Sequence, residues 1–208
     1  MINKKLNDSL LLAAENKVKK DEKYGPEQDL IDGFFKKYPK NTDKLVVAAK
    51  IAIIDTTNST NLARYKSKIS LCDVADIITC IKDFDARLKN GDAELVEEIA
   101  RTSKEKYDIN LFSFATKYCC YHNVHVYGRD DYSIFDSVVK DYLKDYNTNK
   151  HSVSAYQVEK WRTQMDYKAF NNYIGNLLDD YKITLSNRRR AFDYFLWYDN
   201  KNEEKDKK

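Results

Sequence analysis

Three observations predict an all-α fold. With 5 Gly and 2 Pro in 208 residues, the chain has too few obligatory corners for a sandwich or barrel of short strands. Apolar residues recur at helical spacing in one segment after another, beginning with Leu6, Leu10, Ala13, Ala14 and Val18. A composition of 42% hydrophobic and 33% charged residues supplies a core and excludes collagen-like, linker and low-complexity classes. The length suits one body, and no internal repeat or composition break marks a linker.

The elements follow in order. The first helix is expected over residues 5–19. Pro26 suits the first turn of a second helix, from about Glu27 to Tyr38, which Pro39 ends. Thr42 or Asp43 can cap a third helix through Leu45, Val46, Ala49, Ile53 and Ile54, and the polar cluster 56–61 then predicts a bend. Further helical segments are expected over 61–67, 73–81 and 92–104, the last opened by Gly91-Asp92. An apolar stretch from Asp108 carries Lys117, a polar loop runs over 123–132 with Gly128, and Asp136 is placed to cap a helix over 137–145. Ser154 opens one long helix to about Asp180, which Gly175 weakens, and Ser186 or Asn187 opens the last, through Phe192, Phe195 and Leu196. The polar stretch 200–208 is expected to be a disordered tail. The expected body, 1–199, divides into lobes of roughly 40–135 and 1–39 plus 136–199, with a cleft between them.

Several classes fall away. The longest apolar run, Leu45 to Ile54, is interrupted by Lys50 and stops at Asp55, too short for a membrane span. The apolar stretch 10–14 is too short for a secretory core, and Cys72, Cys80, Cys119 and Cys120 lack a framework spacing, which fits a reducing, cytoplasmic setting. A net charge of +3 does not by itself imply nucleic acid. Glycine-rich phosphate loops and the G-x-S-x-G nucleophile elbow are absent from the sequence. Cys119, Cys120, His122 and His125 are crowded together, but adjacent cysteines cannot easily both reach one tetrahedral ion, so no metal is expected there.

Three strings carry a family resemblance. Leu111-Phe112-Ser113-Phe114-Ala115-Thr116-Lys117 resembles the L-P-G-V-G-x-K hairpin of the helix-hairpin-helix (HhH-GPD) DNA glycosylases, with Phe112, Ser113 and Ala115 in place of its proline and glycines. Ile134-Phe135-Asp136 is similar to the family's P-V-D segment, and the spacing from Lys117 to Asp136 is similar to that of the 8-oxoguanine DNA glycosylases. Upstream, Asn58-Ser59-Thr60-Asn61-Leu62-Ala63-Arg64 resembles their N-N-N-I-A-R segment and likewise follows an apolar helix.

The resemblance implies a two-lobed helical glycosylase and AP lyase that needs no cofactor and acts as a monomer on duplex DNA containing a damaged base. It implies Lys117 as the nucleophile at sugar C1′ and Asp136 as the anion that stabilises the positive charge on the sugar. Asn61 is implied to fill the gap left by the extruded nucleotide, and Arg64 to touch the estranged base. Because a free lysine amine, at about 10.4, is almost fully protonated at neutral pH, such a nucleophile needs a dry setting.

Two placements of Lys117 stay open on the sequence alone. Asn110 can cap an unbroken helix whose apolar side is Leu111, Phe114, Ala115, Tyr118, Cys119 and His122, leaving Lys117 in water. A hairpin breaking between Ser113 and Ala115 turns it instead toward the cleft. Arg64, Lys66 and Lys68 form one stripe of cations without an acid, and Lys182, Arg188, Arg189 and Arg190 form another, either of which can neutralise phosphates. The last helix carries Phe192, Tyr194, Phe195 and Trp197, of which some are core and one can stack on an extruded base. The competing expectation is a non-enzymatic helical binding or host-defence protein, in which Lys117 and Asp136 lie apart.

Overall fold

The computed structural model describes residues 5–58 and 60–205. Ser59 of the third string and residues 206–208 of the expected tail lie outside the described residues.

The described residues form helices joined by loops, with no strand among them. Helix α1 spans Asp8–Lys20 and begins after Asn7, whose Oδ1 accepts the Leu10 N–H at 2.9 Å. Helix α2 (Tyr24–Lys37) starts earlier than Pro26 suggests, because Asp21 Oδ1 accepts the N–H groups of Lys23 and Tyr24. Helix α3 (Lys44–Asn58) is capped by Asp43 and runs into the first half of the polar cluster expected to bend. Thr56 and Thr57 turn their hydroxyls back onto the carbonyls of Ala52 and Ile53, which lets polar residues stay helical. The chain turns at the end of that cluster, at Asn61, in the left-handed region at φ 57°, and a 3-10 turn, Leu62–Tyr65, follows.

Helix α4 (Leu71–Cys80) opens on a reciprocal cap between Ser70 and Asp73. The short α5 (Phe84–Lys89) has no counterpart in the sequence reading, because its six residues are fewer than two turns and show no period. Helix α6 spans Glu94–Tyr107, with Asp92 Oδ1 accepting the Glu94 N–H, and α7 spans Phe112–Tyr127. The loop expected from Asn123 begins only at Gly128, whose φ of 63° ends α7. After an extended segment come α8 (Ser137–Tyr142) and a 3-10 turn, Leu143–Tyr146.

The long helix expected up to Asp180 is two helices. Helix α9 (Ala155–Gln164) ends at Met165, φ 56°, and the Asp166 carboxylate caps α10 (Tyr167–Asp180). Gly175 sits in α10 for a packing reason: a Cβ there would stand 2.7 Å from Arg189 Nη2. Helix α11 (Arg188–Lys205) continues through part of the stretch expected to be disordered, since each added residue gains a hydrogen bond on a helix already nucleated.

One cluster of buried apolar side chains runs through the molecule. At its centre lies α7, which touches α2, α3, α5 and α6, and every residue from Phe114 to Asn123 is buried. Helix α1 lies along α11, which also meets α8 and α10. None of the helices among the described residues is long and apolar enough to cross a membrane.

Candidate active site

Helix α7 is unbroken, so the expected hairpin between Ser113 and Ala115 does not form; Asn110 Oδ1 accepts the Phe112 N–H at 2.9 Å and starts the helix there. The water-facing placement of Lys117 fails as well. A helix packed on all sides has no solvent face, and Lys117, 8% exposed, points into a cleft. Its Nζ donates to the Asn58 carbonyl at 3.1 Å and lies 3.7 Å from Asp136 Oδ2.

Asp136 caps α8, its Oδ1 accepting the Val139 N–H at 3.1 Å while Oδ2 faces Lys117. A carboxylate that accepts from a helix N-terminus is held in one orientation. The segment before it belongs to no helix, and side chains satisfy its backbone. Ser133 N–H donates to Tyr167 Oη and Asn171 Oδ1, Tyr167 Oη donates back to the Ser133 carbonyl, and the Asp131 carbonyl accepts from Asn171 Nδ2. The Phe135 N–H donates to Thr116 Oγ1 at 3.0 Å.

Asn61 and Arg64 line the same cleft, of about 470 Å³. Both are exposed. Asn61 is one of the few non-glycine residue types at ease in the left-handed region, and Asp55 Oδ1 holds the turn by accepting the Leu62 N–H at 2.9 Å. The Asn58 carboxamide joins this corner to α7 by accepting the Tyr121 hydroxyl. The structure therefore brings together all four residues singled out from the sequence.

The opposite wall was legible in the sequence only through its aromatic residues. Arg190, placed there in a stripe of cations able to neutralise phosphates, is 4% exposed. Its guanidinium lies over the rings of Tyr194 and Tyr121, at 4.0 and 4.6 Å, and bonds Asp193 and Gln28. Arg188 pairs with Asp179, and Arg189 reaches Ser133 Oγ at 2.9 Å and the Asn171 carbonyl at 2.8 Å. That second cation stripe therefore has its charge largely committed inside the molecule. Asp130 caps α11 from 58 residues upstream of Arg188, accepting the N–H groups of Arg189 and Arg190, and burial pushes its carboxyl up to about 6. Arg64, Lys66 and Lys68 stay exposed as expected. Of the aromatic residues in α11, Phe192 and Phe195 are core, whereas Tyr194 and Trp197 line the cleft, Trp197 edge-on to Tyr24 at 4.4 Å.

Asp193 also lines the cleft, and burial raises its carboxyl to about 6 against the pull of Arg190. Gln28 Oε1 accepts from both Arg190 and Tyr194, which turns its amide nitrogen the other way. The Cys and His residues crowded in α7 have separate surroundings: His122 bonds Asn41, His125 bonds Asp32, and burial raises both thiols. Among the described residues, no group of three or more His, Cys, Asp or Glu could hold a metal ion.

A family model described as HI_0787_N, an N-terminal domain, matches residues 2–131, a span that takes in Asn61, Arg64 and Lys117 and stops short of Asp136 and α11. An uncharacterized protein of Haemophilus influenzae (strain ATCC 51907 / DSM 11121 / KW20 / Rd) is 32% identical over 148 residues, covering 70% of this chain and 64% of the relative. The chain thus spans just under two thirds of that relative's length. No solved structure matches.

Proposed function

The chain belongs to the HI_0787_N family, and from the geometry of its cleft we propose that it is a DNA glycosylase with AP lyase activity, excising an oxidised purine such as 8-oxoguanine from duplex DNA. One observation carries the reading: a largely buried lysine amine lies 3.7 Å from a capped carboxylate in a cleft that also holds Asn61 and Arg64.

The amine of Lys117, once neutral, attacks C1′ of an extruded nucleotide as the base leaves with the glycosidic electron pair. Asp136 stabilises the positive charge gathering on the sugar, as a fixed anion in a dry site can. Ring opening gives an imine on Lys117, and loss of a C2′ proton then expels the 3′ phosphate. The leaving base lies against α11, where Trp197 and Tyr194 offer aromatic surface and Gln28 and Asp193 offer one donor and one acceptor. Asn61 occupies the vacated stack and Arg64 meets the estranged base.

In this reading the molecule is two-lobed with the cleft between its lobes, and the unbroken α7 stands where the hairpin was expected. It is supported by where the lining residues come from: Asn61, Arg64 and Lys117 lie in the 40–135 portion, and Gln28, Asp136 and Trp197 in the 1–39 plus 136–199 portion. The protein acts as a monomer, since extruding one base needs no second subunit.

Borohydride trapping tests the proposal. Wild-type protein is expected to form a covalent adduct with a duplex carrying 8-oxoguanine, and Lys117→Gln none. Asp136→Asn is expected to bind the duplex while forming adduct far more slowly. A wild-type protein that binds duplex without trapping on 8-oxoguanine or on an abasic site would leave the non-enzymatic binding reading in its place.

A further inference from the structure

We infer that Thr116 is a positioning residue that sets the distance between Lys117 and Asp136, an inference that rests on the reading above. Thr116 immediately precedes Lys117 and Phe135 immediately precedes Asp136, and one hydroxyl joins the two. The Thr116 side chain is fully buried. Its Oγ1 donates to the Ser113 carbonyl at 2.8 Å, the back-bond that a threonine in a helix readily makes, and this fixes its rotamer. The lone pairs are then left to accept, and the Phe135 N–H uses one at 3.0 Å. The Phe135 carbonyl, 3.4 Å away, competes for the hydroxyl proton and loses on distance.

The segment's other hydrogen bonds lead elsewhere. Ser133 is tied to α10 and α11 through Tyr167, Asn171 and Arg189. Asn123 meets Asp131 near the C-terminal end of α7, five residues before Asp136. Phe112 packs edge-on against Phe135 at 5.3 Å, a contact without a fixed direction, so among the described residues the Thr116 hydroxyl is the directional tie, beside the ion pair itself, between the lysine's turn of α7 and the aspartate's end of the segment. Without it the carboxylate can shift relative to the amine, and a misplacement of about 1 Å can cost a rate factor of about 100.

Thr116→Val keeps the shape and removes the acceptor. It is expected to slow adduct formation on an 8-oxoguanine duplex by about 10- to 100-fold with duplex affinity unchanged. Thr116→Ser, which restores the oxygen, is expected to recover most of the rate. Tyr167→Phe removes a hydroxyl from the same segment but spares this tie, and is expected to trap at close to the wild-type rate. Thr116→Val trapping as fast as wild type, or Tyr167→Phe slowing equally, overturns the inference. Should Thr116→Val not fold, Thr116→Cys, a far weaker acceptor, takes its place with the same expectation. A wild-type protein that forms no adduct removes the glycosylase reading and not the tie. The tie is then read from the side-chain ammonium resonance of Lys117, identified by its loss in Lys117→Gln. That resonance is expected to move in Thr116→Val and stay in Tyr167→Phe; a resonance unmoved in Thr116→Val overturns the tie by itself.

Discussion

Two lysines are buried among the described residues, and one of them, Lys117, opens onto the cleft. Lys50, on α3, has no exposed surface and lies 5.3 Å above the ring of Phe35. Its Nζ donates to the Lys40 carbonyl and to Asn41 Oδ1, at 3.0 Å each, and stands 3.3 Å from His122 Nε2. Its nearest anion, Asp85, is one side chain removed, bonding Asn41 rather than the amine. Burial pushes Lys50 down to about 8 and His122 down to about 3, leaving a neutral imidazole beside a reluctant cation. Lys117 keeps a carboxylate at 3.7 Å and opens onto the cleft. Access and a fixed anion separate the two lysines, and on the proposed reading they single out Lys117.

The largest effect expected from this contrast is on trapping. Lys117→Gln should abolish the adduct, whereas Lys50→Met, in a sealed part of the core, should still form it. An adduct that survives Lys117→Gln and disappears in Lys50→Met would reverse the comparison.

Stability against pH sharpens it. An amine lowered from 10.5 to about 8 on folding penalises the folded state in full below pH 8, and the penalty is relieved as pH rises toward 10.5, because there the unfolded chain binds the extra proton. Relative to Lys50→Met, wild-type protein should gain about 3 kcal/mol between those limits in denaturant titrations. A difference that stays flat from pH 8 to 10.5 would mean that Lys50 is not held as a depressed cation.

Asp193 gives the complementary case in the cleft. Its carboxyl rises from 3.8 to about 6, so the folded state binds the extra proton between those values and its contribution falls as pH climbs through them. At pH 4, where the folded carboxyl is protonated, Asp193→Asn puts one neutral acceptor in place of another beside Arg190 and should be close to wild type in stability. It should gain about 2 kcal/mol on wild type as pH goes from 4 to 6. A variant that loses ground over that interval would show that Arg190 outweighs burial at this carboxyl.

These contrasts also mark what was legible in the sequence. Helices with a strong apolar period were legible, as α1 and α3 illustrate, and the Asp136 cap marked the short α8, because both signals are local. Lys117, Asp136, Asn61 and Arg64 were found through three strings, yet the reason Lys117 is dry was missed. It lies in the all-round burial of α7, which depends on the four helices touching it. The wall from Gln28 to Arg190 carries no local signal. A guanidinium between two tyrosine rings reads in sequence as one more surface cation, and its cap, Asp130, is 60 residues away. The break at Met165 was hidden for a related reason. Asp166 competes for the backbone with its own carboxylate, and apolar periodicity alone does not register that competition.

The smallest effects belong to the exposed stripe, and they divide two neighbouring cations by what each touches. Arg64 lines the cleft beside Asn61, whereas Lys66 is exposed and absent from its lining. Arg64→Ala should weaken discrimination between bases opposite the lesion, by about 1–3 kcal/mol in paired excision assays. Lys66→Ala should leave that preference alone and lower the slope of log affinity against log salt by about one. Equal loss of affinity on every duplex from Arg64→Ala, with the salt slope reduced as for Lys66→Ala, would reassign Arg64 to the phosphate backbone and leave the choice of opposite base to other residues of the cleft.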